Sequence, residues 1–385
     1  MQETSGQKKR ILVLVDHLEV FGGIQRFVLE AFTRLADRYE ISIYNVGNTA
    51  AEGSMTRNYD LSRIRVFDAG TIKIGPHLTM PTPGAFMSLK RMIRNSDIVY
   101  CLYNMPPFFL PSVHYALKYR KRLIYDVSSE VIANIFKDRK RGFSRKILDR
   151  ARLRAFSRIR YFKVYNNESE DIVRANFKAA KAYKIEAAVP VSNVKVFNSR
   201  EKFVALFVGR LSVQQKGLDF LKEIVEQALK LNNNINFEVI GSGYDGEGII
   251  EDLVKSHEGN FKWIRHSSDD EKFAEIKKSS LFIFPSRYEE FGLALCEAQA
   301  FGLPAVAFDI KGPRMIMNEK IQGRMIERFD LKAFAEAIAD YYEFWKSRND
   351  EYFEMKKKIS EIVIKRFGID SMIPRIVDML EDVSK

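Results

Sequence analysis

This chain of 385 residues is poor in cysteine and in long apolar runs, and each shortage excludes something. Its two cysteines, Cys101 and Cys296, lie in different halves, within Val99-Tyr100-Cys101-Leu102 and Leu293-Ala294-Leu295-Cys296. They read as small core residues rather than a disulfide, a metal pair or a nucleophile, which suits a reducing compartment. The start, Met1 to Arg10, is polar, and the apolar run after it, Ile11–Val15, is too short for a secretion signal or a membrane span. The chain is therefore expected in the cytoplasm, free or attached to a membrane surface. No Asp-x-Asp occurs, and no Gly-x4-Gly-Lys-Ser/Thr phosphate loop. No Cys/His zinc spacing occurs, and no Gly-x-Gly-x-x-Gly follows the first strand. No metal site is expected, and a nicotinamide enzyme is disfavoured. His17, His77, His114, His257 and His266 show no ligand spacing and read as structural or solvated; His17 stands apart because it sits in the first loop after a strand.

What is present is globular. Hydrophobic residues make up 46% and charged residues 29%, enough for two domains. The net charge of +12 points to anionic partners without choosing among them. Strand candidates at Ile11–Val15, Glu40–Val46, Ile64–Phe67, Ile98–Leu102, Arg122–Asp126 and Arg160–Tyr165 alternate with helical patterns at Ile24–Leu35, Phe86–Arg94, Phe108–Tyr119 and Ser144–Ser157. The pattern lapses over Ala187–Arg200, then restarts with strands at Phe203–Val208, Asn236–Ile240, Phe261–Ile264, Leu281–Phe284 and Ala305–Phe308. Helices fit at Leu218–Leu231, Gly248–His257, Asp270–Lys278 and Ala294–Phe301, and three more close the chain. Such alternation predicts parallel sheets covered by helices on both faces. The expected division is 1–190, 191–365 and a carboxyl-terminal helix, 366–385, that returns to the first domain.

Two stretches carry chemistry. Pro285-Ser286-Arg287-Tyr288-Glu289-Glu290-Phe291-Gly292-Leu293 follows a buried strand and opens a helix that contains Glu297. Side chains and helix N–H groups at the carboxyl end of a parallel strand face the ligand crevice, and such N–H groups hold phosphate. Gly292 lets a ligand approach the backbone. Glu289 and Glu297 can accept hydrogen bonds from sugar or ribose hydroxyls, although each taken alone reads first as a solvated carboxylate, and the surrounding sequence shifts that reading. The second stretch is Phe207-Val208-Gly209-Arg210-Leu211 followed by Lys216-Gly217-Leu218-Asp219, again between a strand and a helix. An arginine fork and a lysine there can neutralise a diphosphate.

The spacing of Glu289, Phe291-Gly292-Leu293 and Glu297 closely resembles the signature of glycosyltransferase family 4, in which Gly is usual where this chain has Glu290. The Gly-Arg-Leu…Lys-Gly arrangement resembles that family's diphosphate-holding motif. Val239-Ile240-Gly241-Ser242-Gly243 resembles its strand-to-glycine loop near the nucleotide. Gly312-Pro313-Arg314 resembles a turn that the family continues with Glu, here Met315. Gly22-Gly23-Ile24-Gln25-Arg26 resembles its amino-terminal double-glycine loop. The resemblance is strong from Phe203 to Gly323 and loose before it. It implies an α/β protein of the GT-B kind: two Rossmann-like, doubly wound parallel-sheet domains facing across a cleft. It also implies a retaining, metal-independent glycosyltransferase with a UDP- or GDP-sugar as substrate and no cofactor.

By that resemblance Arg210 and Lys216 hold the diphosphate, Glu289 the donor sugar and Glu297 the ribose. Gly23, Gly209, Gly241, Gly243, Phe291, Gly292 and Leu293 line the donor site. Acceptor or accessory roles fall to His17, Gly22, Asp126 and Ser128; Ser128 and Ser129 stand where many relatives have a histidine. The acceptor is expected to be a glycan or a lipid-linked hydroxyl in cell-envelope synthesis. A catalytically silent sugar-nucleotide-binding partner of another transferase is the alternative. A nucleic-acid role rests on charge alone, without a recognisable module, and is not expected. The run 137–163, rich in Lys and Arg, with Phe143, Ile147, Ala151, Ala155 and Ile159 every four residues, predicts an apolar stripe packed on the sheet and a basic face toward anionic membrane.

Overall fold

The computed structural model describes residues 8–19, 23–47, 49–50, 55–73, 79–103, 106–127, 143–186, 188–191, 194–197, 201–243, 245–266, 268–318 and 320–385. The chain divides into two compact units, one made of Met1–Ala187 with Met372–Lys385, the other of Ala188–Ser371.

In the first unit β1 (Arg10–Asp16), β2 (Glu40–Val46), β3 (Ile64–Asp68), β6 (Ile98–Cys101), β7 (Arg122–Val127), β8 (Tyr161–Val164) and β9 (Lys181–Lys184) form one parallel sheet in the order β3-β2-β1-β6-β7-β8-β9. A short antiparallel hairpin, β4 (Thr71–Lys73) with β5 (Thr79–Pro81), stands apart from it. The chain runs outward from β1 and then crosses back beside it, so the strand order reverses between β1 and β6. Right-handed crossovers make helices cover the faces, and β1, β6 and β8 are accordingly buried along nearly their whole length. The last helix, Ile369–Val383, reaches this unit through Glu381, which pairs with Arg38 at 3.1 Å, and through Asp382, which pairs with Lys181.

The second unit repeats the scheme with β10 (Val204–Val208), β11 (Asn236–Ile240), β12 (Phe261–Ile264), β13 (Leu281–Phe284), β14 (Ala305–Phe308) and β15 (Gly323–Ile326), ordered β12-β11-β10-β13-β14-β15. Alternation along β10 sends Ala205 and Phe207 into one apolar cluster and Leu206 and Val208 into the other, so both sheet faces are dry. Here the order reverses between β10 and β13. That is the topological switch point, where the loops at the strands' carboxyl ends part and leave room for a ligand.

The weak-signal elements are those that periodicity does not show. Edge strands β9 and β15 are short and partly charged, as edges are. The helix Asn167–Asn176 is too polar to carry an apolar stripe and is marked instead by Asn166, whose side chain accepts from the Ser169 N–H at 2.8 Å. Cys101 and Cys296 are both buried, and neither forms a disulfide.

One expectation needs correcting. The stripe Ile147, Ala151, Ala155, Ile159 does not pack as a unit on the sheet: Ala155 and Ile159 are buried, but Ile147 is 53% exposed and Ala151 is also exposed. A four-residue repeat advances about 40° per step around a helix of 3.6 residues per turn, so the stripe winds off the buried face. The side chain of Phe143 lies outside the described residues, as do residues 137–142.

Candidate functional site

The loop after β10 opens the site. Gly209 is followed by Arg210, and the short helical turn Val213–Lys216 ends at Gly217, whose φ of +65° lets the chain turn at once into the helix Leu218–Leu231. A Cβ at Gly217 would collide with the Pro285 carbonyl, so this glycine also lets the loops after β10 and β13 touch. Gly241 serves the neighbouring loop in the same way: at φ +148° a Cβ there would strike the Gly209 carbonyl.

Contact between the loops brings the two sequence stretches together. The Lys216 ammonium is ion-paired with Glu289, and both side chains keep roughly a tenth of their surface exposed (13% and 10%). Gln215, which sequence reading missed, joins the group: its amide donates to Glu289 Oε1 at 3.5 Å, and its carbonyl accepts from Arg210 Nη2 at 2.8 Å. Arg210, Gln215, Lys216 and Glu289 thus form one connected chain of contacts. Arg287, two residues before Glu289, is spent on structure. It forks onto Asp219 at 2.7 and 2.5 Å and donates to the Val213 carbonyl at 2.7 Å, which ties the β13 loop to the helix beyond it. The same guanidinium holds the Asp219 carboxyl below the usual range.

Gly292 caps the helix Leu293–Ala300 at φ +96°, with no side-chain hydrogen bond to the first N–H groups. Those donors are aimed along the strand end, where partial positive charge favours an anion. Glu297 lies in the second turn of this helix and is buried; its Oε2 accepts from Lys272 at 2.9 Å. Lys272, on the helix Asp269–Lys278, also lies 3.1 Å from Asp269. It is a third cation at the site beside Arg210 and Lys216, and no motif announced it. Glu290 points to another neighbour, Lys311, at 2.6 Å across the loop after β14. The turn around Gly312 forms a short helix, Lys311–Ile316. A Cβ at Gly312 would lie 2.9 Å from the Glu289 Cβ, so this helix forms the other wall beside Glu289. Gly243 donates its N–H to Glu247 at 3.0 Å, and Phe291 packs its ring on Phe367.

The first unit's candidates are more scattered. Gly23 begins the helix Gly23–Leu35 behind β1; Gly22 and Ser128 lie outside the described residues. His17 has a left-handed backbone (φ +50°), and its Nδ1 lies 3.1 Å from Glu19 at the surface. Asp126 is fully buried rather than presented to solvent. Tyr100 donates to its Oδ2 at 2.6 Å, and the Lys163 ammonium lies 3.1 Å away. That ammonium sits over the rings of Phe27 at 4.3 Å and Tyr165 at 3.4 Å. Burial pushes Lys163 down to about 8, with Asp126 opposing the shift. No group of three or more His, Cys, Asp or Glu arranged for a metal occurs among the described residues.

Residues 192–358 match the model of the family described as glycosyl transferases group 1. The poly(ribitol-phosphate) alpha-N-acetylglucosaminyltransferase of Staphylococcus aureus is 29% identical over 206 residues, covering 51% of this chain and 40% of that protein. The GtfA subunit of the UDP-N-acetylglucosamine–peptide N-acetylglucosaminyltransferase of Streptococcus parasanguinis is 26% identical over 209 residues, with the same 51% and 40% coverage. The chain thus spans less than half the length of these relatives. Among solved structures, Anabaena HepE in complex with UDP matches with a TM-score of 0.71 at 15% identity, over 97% of this chain and 100% of that one. TarM matches with a TM-score of 0.72, also at 15% identity, over 96% and 98%. These likenesses show a GT-B fold.

Proposed function

We propose that this chain, in which residues 192–358 match the model of the family described as glycosyl transferases group 1, moves a sugar from a UDP-sugar to a hydroxyl of a cell-envelope glycan or a lipid-linked acceptor. The observation that carries the reading is the meeting of Lys216 and Glu289 at the switch point, with Arg210 connected through Gln215. UDP is preferred among bases because HepE binds UDP and UDP-glucose and one curated relative is a UDP-N-acetylglucosamine transferase.

The chemistry follows from charge. Breaking the bond between the anomeric carbon and the phosphate oxygen sends both electrons to the diphosphate and leaves positive charge on the sugar ring. Arg210, Lys216 and the N–H groups opening the helix Leu293–Ala300 offer fixed positive potential to the leaving group. Lys216 is held by Glu289; a diphosphate competes for the ammonium and turns the Glu289 carboxylate to the sugar hydroxyls. Glu297, fixed by Lys272, takes the ribose hydroxyls. Gly209, Gly241 and Gly243, with Phe291 and Leu293, shape the space around the nucleotide. Front-face attack by the acceptor oxygen, with its proton passing to the leaving phosphate oxygen, retains the anomeric configuration. Gly23, which begins the helix Gly23–Leu35, is assigned to the donor, and His17 to the acceptor.

The test is thermal unfolding with UDP-, GDP- and ADP-sugars, since a ligand at 100 times its Kd adds about 2.7 kcal/mol of stability. A UDP-sugar is expected to raise Tm alone, and turnover to persist in EDTA with retained configuration in the product. No shift with any nucleotide sugar overturns the proposal.

A further inference from the structure

Three helices of the first unit lie side by side: Pro83–Asn95 packs on Pro106–Lys118, which packs on Phe143–Phe156. Their combined sequence contains a single acid, Asp149, and that carboxylate is in ionic contact with Arg152 at 3.8 Å. The next helix, Asn167–Asn176, carries Glu168, Glu170 and Asp171 against Arg174, so the imbalance belongs to these three. Lys90, Arg91 and Arg94 are all exposed and have no carboxylate partner among the described residues. Together with Met87, Asn95 and Tyr119 they line a hollow of about 390 Å³. Apolar side chains stand on the same helices where water would normally exclude them: Met87 is 68% exposed and Ile147 53%, with Leu117 and Leu148 also exposed.

Unpaired cations crowded on one face repel one another, so a fold that keeps them gains by bringing them to an anion. Aliphatic tips among the cations narrow the choice. Single-stranded nucleic acid is held by cations interleaved with stacking aromatics. A bilayer interface takes up apolar tips at headgroup depth while its phosphates meet the cations. We propose that this helix layer is a docking surface for an anionic lipid bilayer, with the hollow at Lys90, Arg91 and Arg94 receiving a lipid phosphate. The docking gains its purpose from the lipid-linked or membrane-derived acceptor proposed above, but it is measurable without turnover. It uses residues well beyond the basic run at 137–163. No helix among the described residues is long and apolar enough to cross a membrane, so the attachment is by surface.

The experiment is co-sedimentation of the full chain with phosphatidylcholine vesicles, and with vesicles that also contain phosphatidylglycerol, at low and high salt. Nucleotide-sugar thermal shift serves as the control for folding. The wild type is expected to pellet only with the anionic vesicles at low salt. K90E/R91E/R94E is expected to weaken this roughly 100-fold, and M87S/I147S about 10-fold with the salt dependence retained. Wild-type binding by the triple charge variant overturns the proposal, as does equal binding to neutral vesicles. A short single-stranded RNA that binds the same face as tightly as the anionic vesicles also overturns it, by making the face a general polyanion reader. A wild type that stays in the supernatant, yet is still stabilised by a UDP-sugar, removes the docking surface and leaves the transferase reading standing.

Discussion

The two units share a strand order that reverses at the middle of the sheet, yet they treat charge at those strand ends in opposite ways. In the second unit Lys216 pairs with Glu289, both side chains keeping about a tenth of their surface open to solvent, and Lys272 reaches the buried Glu297 from a position that is itself 12% exposed. In the first unit Asp126 and Lys163 are sealed, with Tyr100 on the carboxylate and aromatic rings around the ammonium. An open pair can exchange partners with a charged ligand at small desolvation cost. A sealed pair cannot, because separating buried charges strands one of them without water. The difference teaches where a ligand can act: the second unit's pairs are exchangeable, and the first unit's pair is frame.

The sharpest way to break this contrast is Lys163→Met. It leaves Asp126 buried and uncompensated, so urea unfolding is expected to show a loss of about 3–5 kcal/mol. A loss below about 1 kcal/mol would show that the carboxylate escapes to water and that the pair is not frame. Next in size is Lys216→Ala in the second unit. It is expected to lower kcat about 10²- to 10³-fold, as removing one preorganised donor does, while urea unfolding changes little. A stability loss as large as that of Lys163→Met, with kcat intact, would reverse the assignment of frame and exchangeable pair.

A third variant compares two buried lysines. Lys356 in the second unit is held down at about 8 by burial and, among the described residues, donates only to the Ser279 carbonyl at 3.1 Å. Its folded value lies below the usual 10.5, so between about pH 8 and 10.5 the unfolded chain keeps a proton that the folded chain has lost. The penalty on folding is complete below that window and is relieved as pH rises through it. Wild-type stability should therefore climb relative to Lys356→Met by up to about 1.4 kcal/mol per pH unit there. A difference between wild type and variant that stays flat from pH 8 to 10.5 would contradict the sealed state of Lys356. The smallest effect is expected for Glu290→Gly. Its partner Lys311 and Glu290 itself are more than a third exposed, so stability should move by less than about 1 kcal/mol. A changed preference among UDP-sugars in that variant would place Glu290 beside the donor, and unchanged kinetics would place it on the rim.

Much of the second unit was legible in the chain. The strands β10, β13 and β14 are short and wholly apolar, β11 and β12 carry Asn236, Glu238 and Lys262 among apolar residues, and the matched family segment encloses the motifs read from residue order. The partners of those motifs were not legible. Gln215 and Lys272 look like ordinary surface residues, and only the neighbours that folding supplies make them part of the site. In the first unit Asp126 was given an accessory role because it stands close to Ser128 and Ser129, where many relatives have a histidine. Whether a strand-end carboxylate faces solvent or a lysine depends on the next strand, and Lys163 lies opposite it in register on β8.

What the sequence determined by itself is local: which runs are apolar on both faces, where a glycine must break a strand or end a helix, and which residue types stand at strand ends. These follow from alternation and helical period, which act over a dozen residues or fewer. The tertiary structure alone decided that Lys216 meets Glu289, 73 residues away, and that Ile147 turns outward while Ile159 turns in. Those outcomes depend on strand order and on which helix lies alongside, and that order is set by crossovers and burial over the whole sheet, which no local window contains.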